Sequence, residues 1–301
     1  MSDQPLREKI ELLSTRLLDE QRPIVEALKN LSSQLGIGLG WHYLLDLSWI
    51  TSSLGQIQGL RMMDAGAGAG LMQWYLAGHG AQVISVDRNS RADLSLRFRA
   101  AYPVAGLRSG DLHPAASVLR RNVQSTAGIP AKARATLRGL AGLLESALPK
   151  NAAGKVFIYN ADLKALREIP TGSLDAVVAV SALEHNPPED LCLVVKELMR
   201  TLKPGRPLLA TLCAAREQDW FHEPSKGWCY SESSLRRIFE LPADTPSNYS
   251  HYDQLFKSLQ QCTELHKGLA GFYFRSGDNG MPWGNWDPQY QPVGVMKVKD
   301  G

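Results

Sequence analysis

Residues 60–75 read LRMMDAGAGAGLMQWY, and this stretch decides the fold. An apolar run from Leu60 ends at Asp64, a glycine cluster follows, and LMQWYLA resumes a helix-forming pattern. The order is strand, tight turn, helix. Glycine lets such a turn close and lets the backbone approach a ligand. The spacing then sorts the ligands. A dinucleotide fingerprint, G-x-G-x-x-G, would place its third glycine where Leu71 stands. No G-K-[ST] follows, so this is not a phosphate-binding P-loop. What remains is an acidic residue, Asp64, two positions before glycines at 66, 68 and 70, with Ala65 between.

Working outward, AQVISVD ends a second strand at Asp87, KVFIYNAD a third at Asp162, LDAVVAVSAL makes a fourth and RPLLATLC a fifth. Helical segments separate most of them. The clearest is PEDLCLVVKELMRTL, with Leu191, Val194, Val195, Leu198 and Leu202 on one face and KPG after it. Apolar strands alternating with helices imply parallel βαβ units and an α/β fold with both sheet faces covered. Before the first strand, Leu6, Ile10, Leu13 and Leu17 fall at helical spacing, as do Ile24, Leu28, Leu31 and Leu35, closed by Gly36. GIGLGWHYLLDLSWI adds a turn and a further helix. The expected organisation is a helical arm or lid over 1–58 and a main domain over 59–301.

These residues together resemble the class I S-adenosylmethionine-dependent methyltransferases, nearest the small-molecule branch called type 11. The resemblance runs from about Leu60 to Cys213. It implies a Rossmann-like, seven-stranded, mostly parallel sheet whose sixth strand is parallel and whose seventh returns antiparallel. It implies that the loop of Asp64, Ala65, Gly66, Gly68 and Gly70 passes under the methionine part of S-adenosylmethionine. Asp87, with Arg88 beside it, implies ribose contact. Asp162 and Leu163 imply adenine recognition, and Ser181 follows the fourth-strand motif on the cofactor side. The activity implied is methyl transfer. Two other readings stay open, a non-catalytic protein on the same fold and a nicotinamide-dependent oxidoreductase, the latter disfavoured by Leu71.

Methyl transfer from a sulfonium needs positioning above all, and a base only where the acceptor must lose a proton. Acceptor-side candidates are therefore sought beyond the carboxyl ends of the strands. Glu184 and His185 follow the fourth strand, with His185 the candidate base, and Trp220 and His222 follow the fifth. GLAGFYFR and PVGVMKVK read as two final strands, joined by an aromatic segment holding Met281, Trp283, Trp286 and Tyr290. Trp283 and Trp286 either shape an acceptor pocket or seal the sheet end. No histidine and carboxylate spacing suggests a metal.

The 301 residues carry 33 Lys and Arg against 30 Asp and Glu, a balance of +3 that excludes a nucleic-acid-coating protein. The charge is unevenly placed. Residues 88–150 hold 11 basic and 3 acidic side chains, which is +8 and leaves −5 for the rest. This basic helical insertion includes RATLRGLAGLLESAL, with Leu137, Leu140, Leu144 and Leu148 aligned on one face. It reads either as a recognition element for an anionic acceptor, through Arg97, Arg99, Arg120 and Arg121, or as a solvated cap. No nucleic-acid-binding motif is visible. No apolar run is long enough to span a bilayer. Four cysteines without a CxxC pair suit a reducing cytoplasm.

Overall fold

A computed structural model describes residues 6–148, 150, 152–269, 281 and 285–301. Ten strands run along the described chain: β1 (Lys9–Leu12), β2 (Arg61–Ala65), β3 (Gln82–Asp87), β4 (Val104–Gly106), β5 (Lys155–Asn160), β6 (Ala176–Val180), β7 (Pro207–Ala214), β8 (Trp220–His222), β9 (Gly227–Tyr230) and β10 (Gln291–Val298). The expected sheet had seven. The chain forms two compact units, one of Ile57–Asp162 and one of Met1–Gln56 with Leu163–Gly301.

In the unit Ile57–Asp162, β2, β3, β5 and β4 lie side by side, all parallel, with Ala65 opposite Val86 and Asp87 opposite Asn160. Met62, Met63, Val83, Ile84, Val86, Val156 and Ile158 are buried. The near-continuous apolar strands match a sheet shielded on both faces. Helix Met72–Gly78 follows the glycine loop, and its Trp74 stacks on Phe98 of helix Leu96–Ala101 with ring centroids 4.7 Å apart. The insertion adds helices Ala115–Ser125 and Ile129–Ala147.

In the other unit, β6 and β7 are parallel, β10 returns antiparallel along the whole of β7, and β1 pairs antiparallel with β10. β8 and β9 form a hairpin whose second strand runs parallel to the end of β7. Trp49, on helix Tyr43–Leu54, covers β10 where Gly294 leaves room. A Cβ at Gly294 would lie 2.6 Å from the indole.

Two expectations need correction or restriction. The helix expected through Leu6–Leu17 gives way to β1 at Lys9–Leu12. Ile10 and Leu12 are buried while Lys9 and Glu11 are half-buried, an alternation of period 2 that satisfies a strand edge. Glu11 accepts the Trp49 indole N–H at 2.8 Å and an ammonium hydrogen from Lys9 at 2.7 Å, so the outward face is also used. The strand expected at GLAGFYFR lies almost entirely outside the described residues, and the position beside β10 is held by β1. Among the described residues, no helix is long and apolar enough to cross a membrane.

Candidate functional site

The glycine loop leaves β2 at Asp64 and Ala65, both buried. Gly66 and Gly68 take φ of 75° and 46°, a left-handed backbone that a side chain disfavours. The N–H groups of Gly66 and Ala67 both donate to Val86 O at 2.9 Å, and Gly70 N–H donates to Ala67 O at 2.8 Å. The Asp87 carboxylate completes the clamp. Its Oδ2 accepts Gly68 N–H and its Oδ1 accepts Asn89 N–H, each at 2.8 Å.

A second layer, not legible in the sequence motifs, braces the loop from beneath. The Gln73 amide donates to Gly70 O at 3.0 Å and accepts the Ser85 hydroxyl at 2.6 Å. Arg91 reaches the Ser85 hydroxyl, the Ser85 carbonyl at 2.5 Å, and the carbonyls of Gly68 and Tyr159 at 3.4 Å. Burial lowers the Arg91 pKa, against the pull of Asp87 and Asp64. Asp64 sits in the same interior. Burial pushes its carboxyl up to about 7, although Arg91 and the Gln73 backbone N–H favour the charged form. The only sequence signal for Arg91 was one cation among many in a basic stretch.

Asp162 lies just past β5 and is exposed, Leu163 is half-buried and Arg88 is exposed. Asn160 is the anchor at that strand end. It accepts Arg91 N–H at 2.9 Å and donates to Asp111 O at 2.9 Å. Much of the insertion's charge is spent internally. Arg99 is buried against the carbonyls of Leu94, His113 and Ala92, Arg108 grips Asp111 through two nitrogens, and Arg121 pairs with Asp93. Arg97 lies 4.7 Å over the Phe98 ring, and Arg120 is exposed.

In the other unit, β6 is followed directly by Ser181, a non-glycine residue held at φ 44°, a conformation that costs energy and concentrates at functional sites. Its hydroxyl donates to Glu184 Oε1 at 2.5 Å, and the Cys213 thiol lies 3.9 Å from the same oxygen. Glu184 is 2% exposed and packs against Gly227, where a Cβ would lie 3.1 Å from its Cγ. Burial raises the Glu184 pKa, opposed by His185 and Ser181. Gly227 stands opposite His222 in the β8–β9 hairpin. His222 Nδ1 lies 2.7 Å from Ser225 Oγ and accepts Ser225 N–H at 3.3 Å, so Nε2 carries the proton of the neutral ring. Burial lowers the His222 pKa. The His222 ring meets Tyr290 edge-on at 5.2 Å, the Tyr290 hydroxyl lies 3.2 Å from His42 Nε2, and His42 Nδ1 lies 2.7 Å from Asp46 Oδ2. Three buried polar atoms in this cluster have no hydrogen-bond partner among the described residues: Glu184 Oε2, His222 Nε2 and Asp46 Oδ1. His42 and Asp46 were not singled out from sequence, because they sit inside an apolar helical pattern.

Residues 140–209 match the family described as methyltransferase domain, type 11. That stretch takes in β5, β6 and the start of β7. The match spans about a quarter of the chain. Over 48 residues the chain is 38% identical to the ubiquinone biosynthesis O-methyltransferase of Leptothrix cholodnii, which covers 16% of this chain and 20% of that one. The chain thus matches about a fifth of that curated relative's length. Among solved structures it is similar to the [4+2]-cyclase SpnF, with TM-score 0.48 and 15% identity over 98% of this chain and 99% of that one. It is also similar to phosphoethanolamine N-methyltransferase 2 of Haemonchus contortus, with TM-score 0.47 and 15% identity over 95% of this chain and 59% of that one.

His185 is exposed, and its Nδ1 lies 3.0 Å from Lys226 O, a backbone brace. Trp220 is 36% exposed on β8. Trp286 donates its indole N–H to Gln260 O at 2.8 Å and meets Trp41 edge-on at 5.8 Å. Trp283 lies outside the described residues.

Proposed function

We propose that the protein transfers a methyl group from S-adenosylmethionine to a small hydroxyl-bearing acceptor. The observation that carries the cofactor half is the clamped loop. A backbone without side chains at Gly66, Gly68 and Gly70 is tied to an acidic strand end at Asp87. Each Asp87 oxygen accepts one backbone N–H and keeps a lone pair, the chemistry that vicinal ribose hydroxyls require. The residues therefore fit this cofactor. Asp162 and Leu163 are assigned to the adenine end and Asp64 to the methionine end. When bound, S-adenosylmethionine supplies a methyl group on a sulfonium centre whose charge makes the thioether a ready leaving group.

On the acceptor side, Glu184 Oε2 and His222 Nε2 supply an unfilled acceptor and an unfilled donor. Glu184 takes the proton of the acceptor hydroxyl, and Ser181 holds its other oxygen in place. His222 donates to the acceptor oxygen. Tyr290, His42 and Asp46 keep the neighbouring rings in register. A cluster holding two carboxylic groups suits a neutral hydroxyl better than an anion. The O-methyltransferase relative agrees with oxygen as the acceptor atom. The four free cysteines are in keeping with a cytoplasmic setting.

Two measurements test this. Calorimetry on the purified chain should show S-adenosylmethionine binding that Asp87→Ala weakens. Incorporation of labelled methyl should follow for hydroxyl compounds. A chain that binds no S-adenosylmethionine ends the proposal.

A further inference from the structure

The helix Ile129–Ala147 turns three of its four leucines outward, Leu143 alone being half-buried. Leu137, Leu140 and Leu144, with Leu148 just past its end, are 69%, 45%, 71% and 62% exposed. They recur every three or four residues and so form one stripe. The face that packs on the protein is a different one. A Cβ at Gly139 would fall on Leu119 Cδ1, and one at Gly142 would lie 3.2 Å from Leu96 Cβ. Small residues bring this helix close to its neighbours, and the leucines point away. Of the seven large apolar side chains exposed among the described residues, these are four; the others, Leu193, Trp220 and Phe221, stand elsewhere. Scattered exposed leucines need no explanation, but a continuous stripe marks an interaction surface.

Charge selects the occupant. Lys132 and Arg134 of the helix are exposed, as is Arg120 of the neighbouring helix, and Glu145 is the one acidic residue between Ile129 and Ala147. A second copy joined stripe to stripe would set these exposed cations against their own kind, whereas an anionic surface complements them. We propose that this helix docks the protein on an anionic lipid bilayer, its leucine stripe in the acyl boundary and its basic residues among the headgroups. A 19-residue helix with one leucine face and excess basic charge has the form of an interfacial helix rather than a spanning one. The inference is independent of the methyl-transfer reading.

Flotation of the full chain tests it, with vesicles of phosphatidylcholine alone and of equal phosphatidylcholine and phosphatidylglycerol. The chain should float with the mixed vesicles, not with phosphatidylcholine alone, and should be released as salt rises. Leu137→Ser with Leu144→Ser should cut binding about tenfold or more and leave thermal unfolding unchanged. Lys132→Glu with Arg134→Glu should also cut binding, as a check that does not touch the leucines. Failure to float with mixed vesicles, equal binding to both vesicle types, or full binding by the serine variant would overturn the proposal. So would a dimer, seen by light scattering, that the serine variant dissolves, since the stripe would then serve a second copy.

Discussion

The Gly68 amide N–H donates to Asp87 Oδ2 at 2.8 Å, so the carboxylate assigned to the ribose also holds the middle glycine of the loop. The two roles share one side chain, and mutation should reveal both. Asp87→Ala orphans the N–H groups of Gly68 and Asn89 and removes the ribose acceptor. Expected losses are about 1–3 kcal/mol of stability and about ten- to a hundredfold in S-adenosylmethionine affinity. Asp87→Asn keeps one carbonyl oxygen and should fall between. Wild-type affinity in Asp87→Ala would refute the ribose assignment, whatever happens to the melting temperature.

The glycine loop was legible because its demand is local. Positive φ at Gly66 and Gly68 restricts residue choice within five positions of chain. Arg91 was not legible, because its partners at Ser85, Gly68 and Tyr159 meet only once three segments have folded. The same holds for β1. Ile10 and Leu13 fit a helical period as well as Ile10 and Leu12 fit a strand, and β10, far along the chain, decides between them. The leucine stripe of Ile129–Ala147 shows the converse error. Periodicity identifies the apolar face of a helix correctly, but does not say that the protein's own core covers it.

Gly68→Val tests the loop without touching any charge. Valine at φ 46° pays the cost of a left-handed β-branched residue, about 1–3 kcal/mol. The backbone should relax away from that conformation and release its bond to Asp87. Circular dichroism should keep its native form, while S-adenosylmethionine affinity measured by calorimetry should fall about a hundredfold or more. Unchanged affinity would mean that the cofactor does not pass this loop.

Asp64 predicts a pH dependence of stability with an unusual sign. Its folded pKa, about 7, lies above the ordinary 3.8 because burial disfavours the charged form. Between these values the folded state holds a proton that the unfolded state has lost. Stability contributed by this group is therefore present at low pH and declines as pH rises from about 4 to about 7, on the order of 4 kcal/mol in all. Asp64→Asn should remove that decline. Chemical denaturation of both proteins across this range is the measurement, and parallel curves would show that Asp64 is ionised at ordinary cost.

Glu184→Gln separates the proposed base from a structural carboxyl. Glutamine keeps the volume against Gly227 and can still accept the Ser181 hydroxyl, so folding should be retained. It cannot take a proton. Turnover should fall about a hundredfold or more, with S-adenosylmethionine affinity unchanged. The pH profile is the sharper readout. A base must be ionised to act, and burial raises the Glu184 pKa above the usual carboxylate range. Wild-type kcat should therefore rise with pH along a limb displaced upward from that range, and Glu184→Gln should flatten the limb. Tyr290→Phe is the control within the same cluster, since it keeps the ring contacts with Trp41 and His222 and loses the hydroxyl that meets His42 and Cys213. It should lower kcat modestly and leave the position of the limb in place. A limb that survives in Glu184→Gln and vanishes in Tyr290→Phe would move the base from Glu184 to the Tyr290–His42 pair.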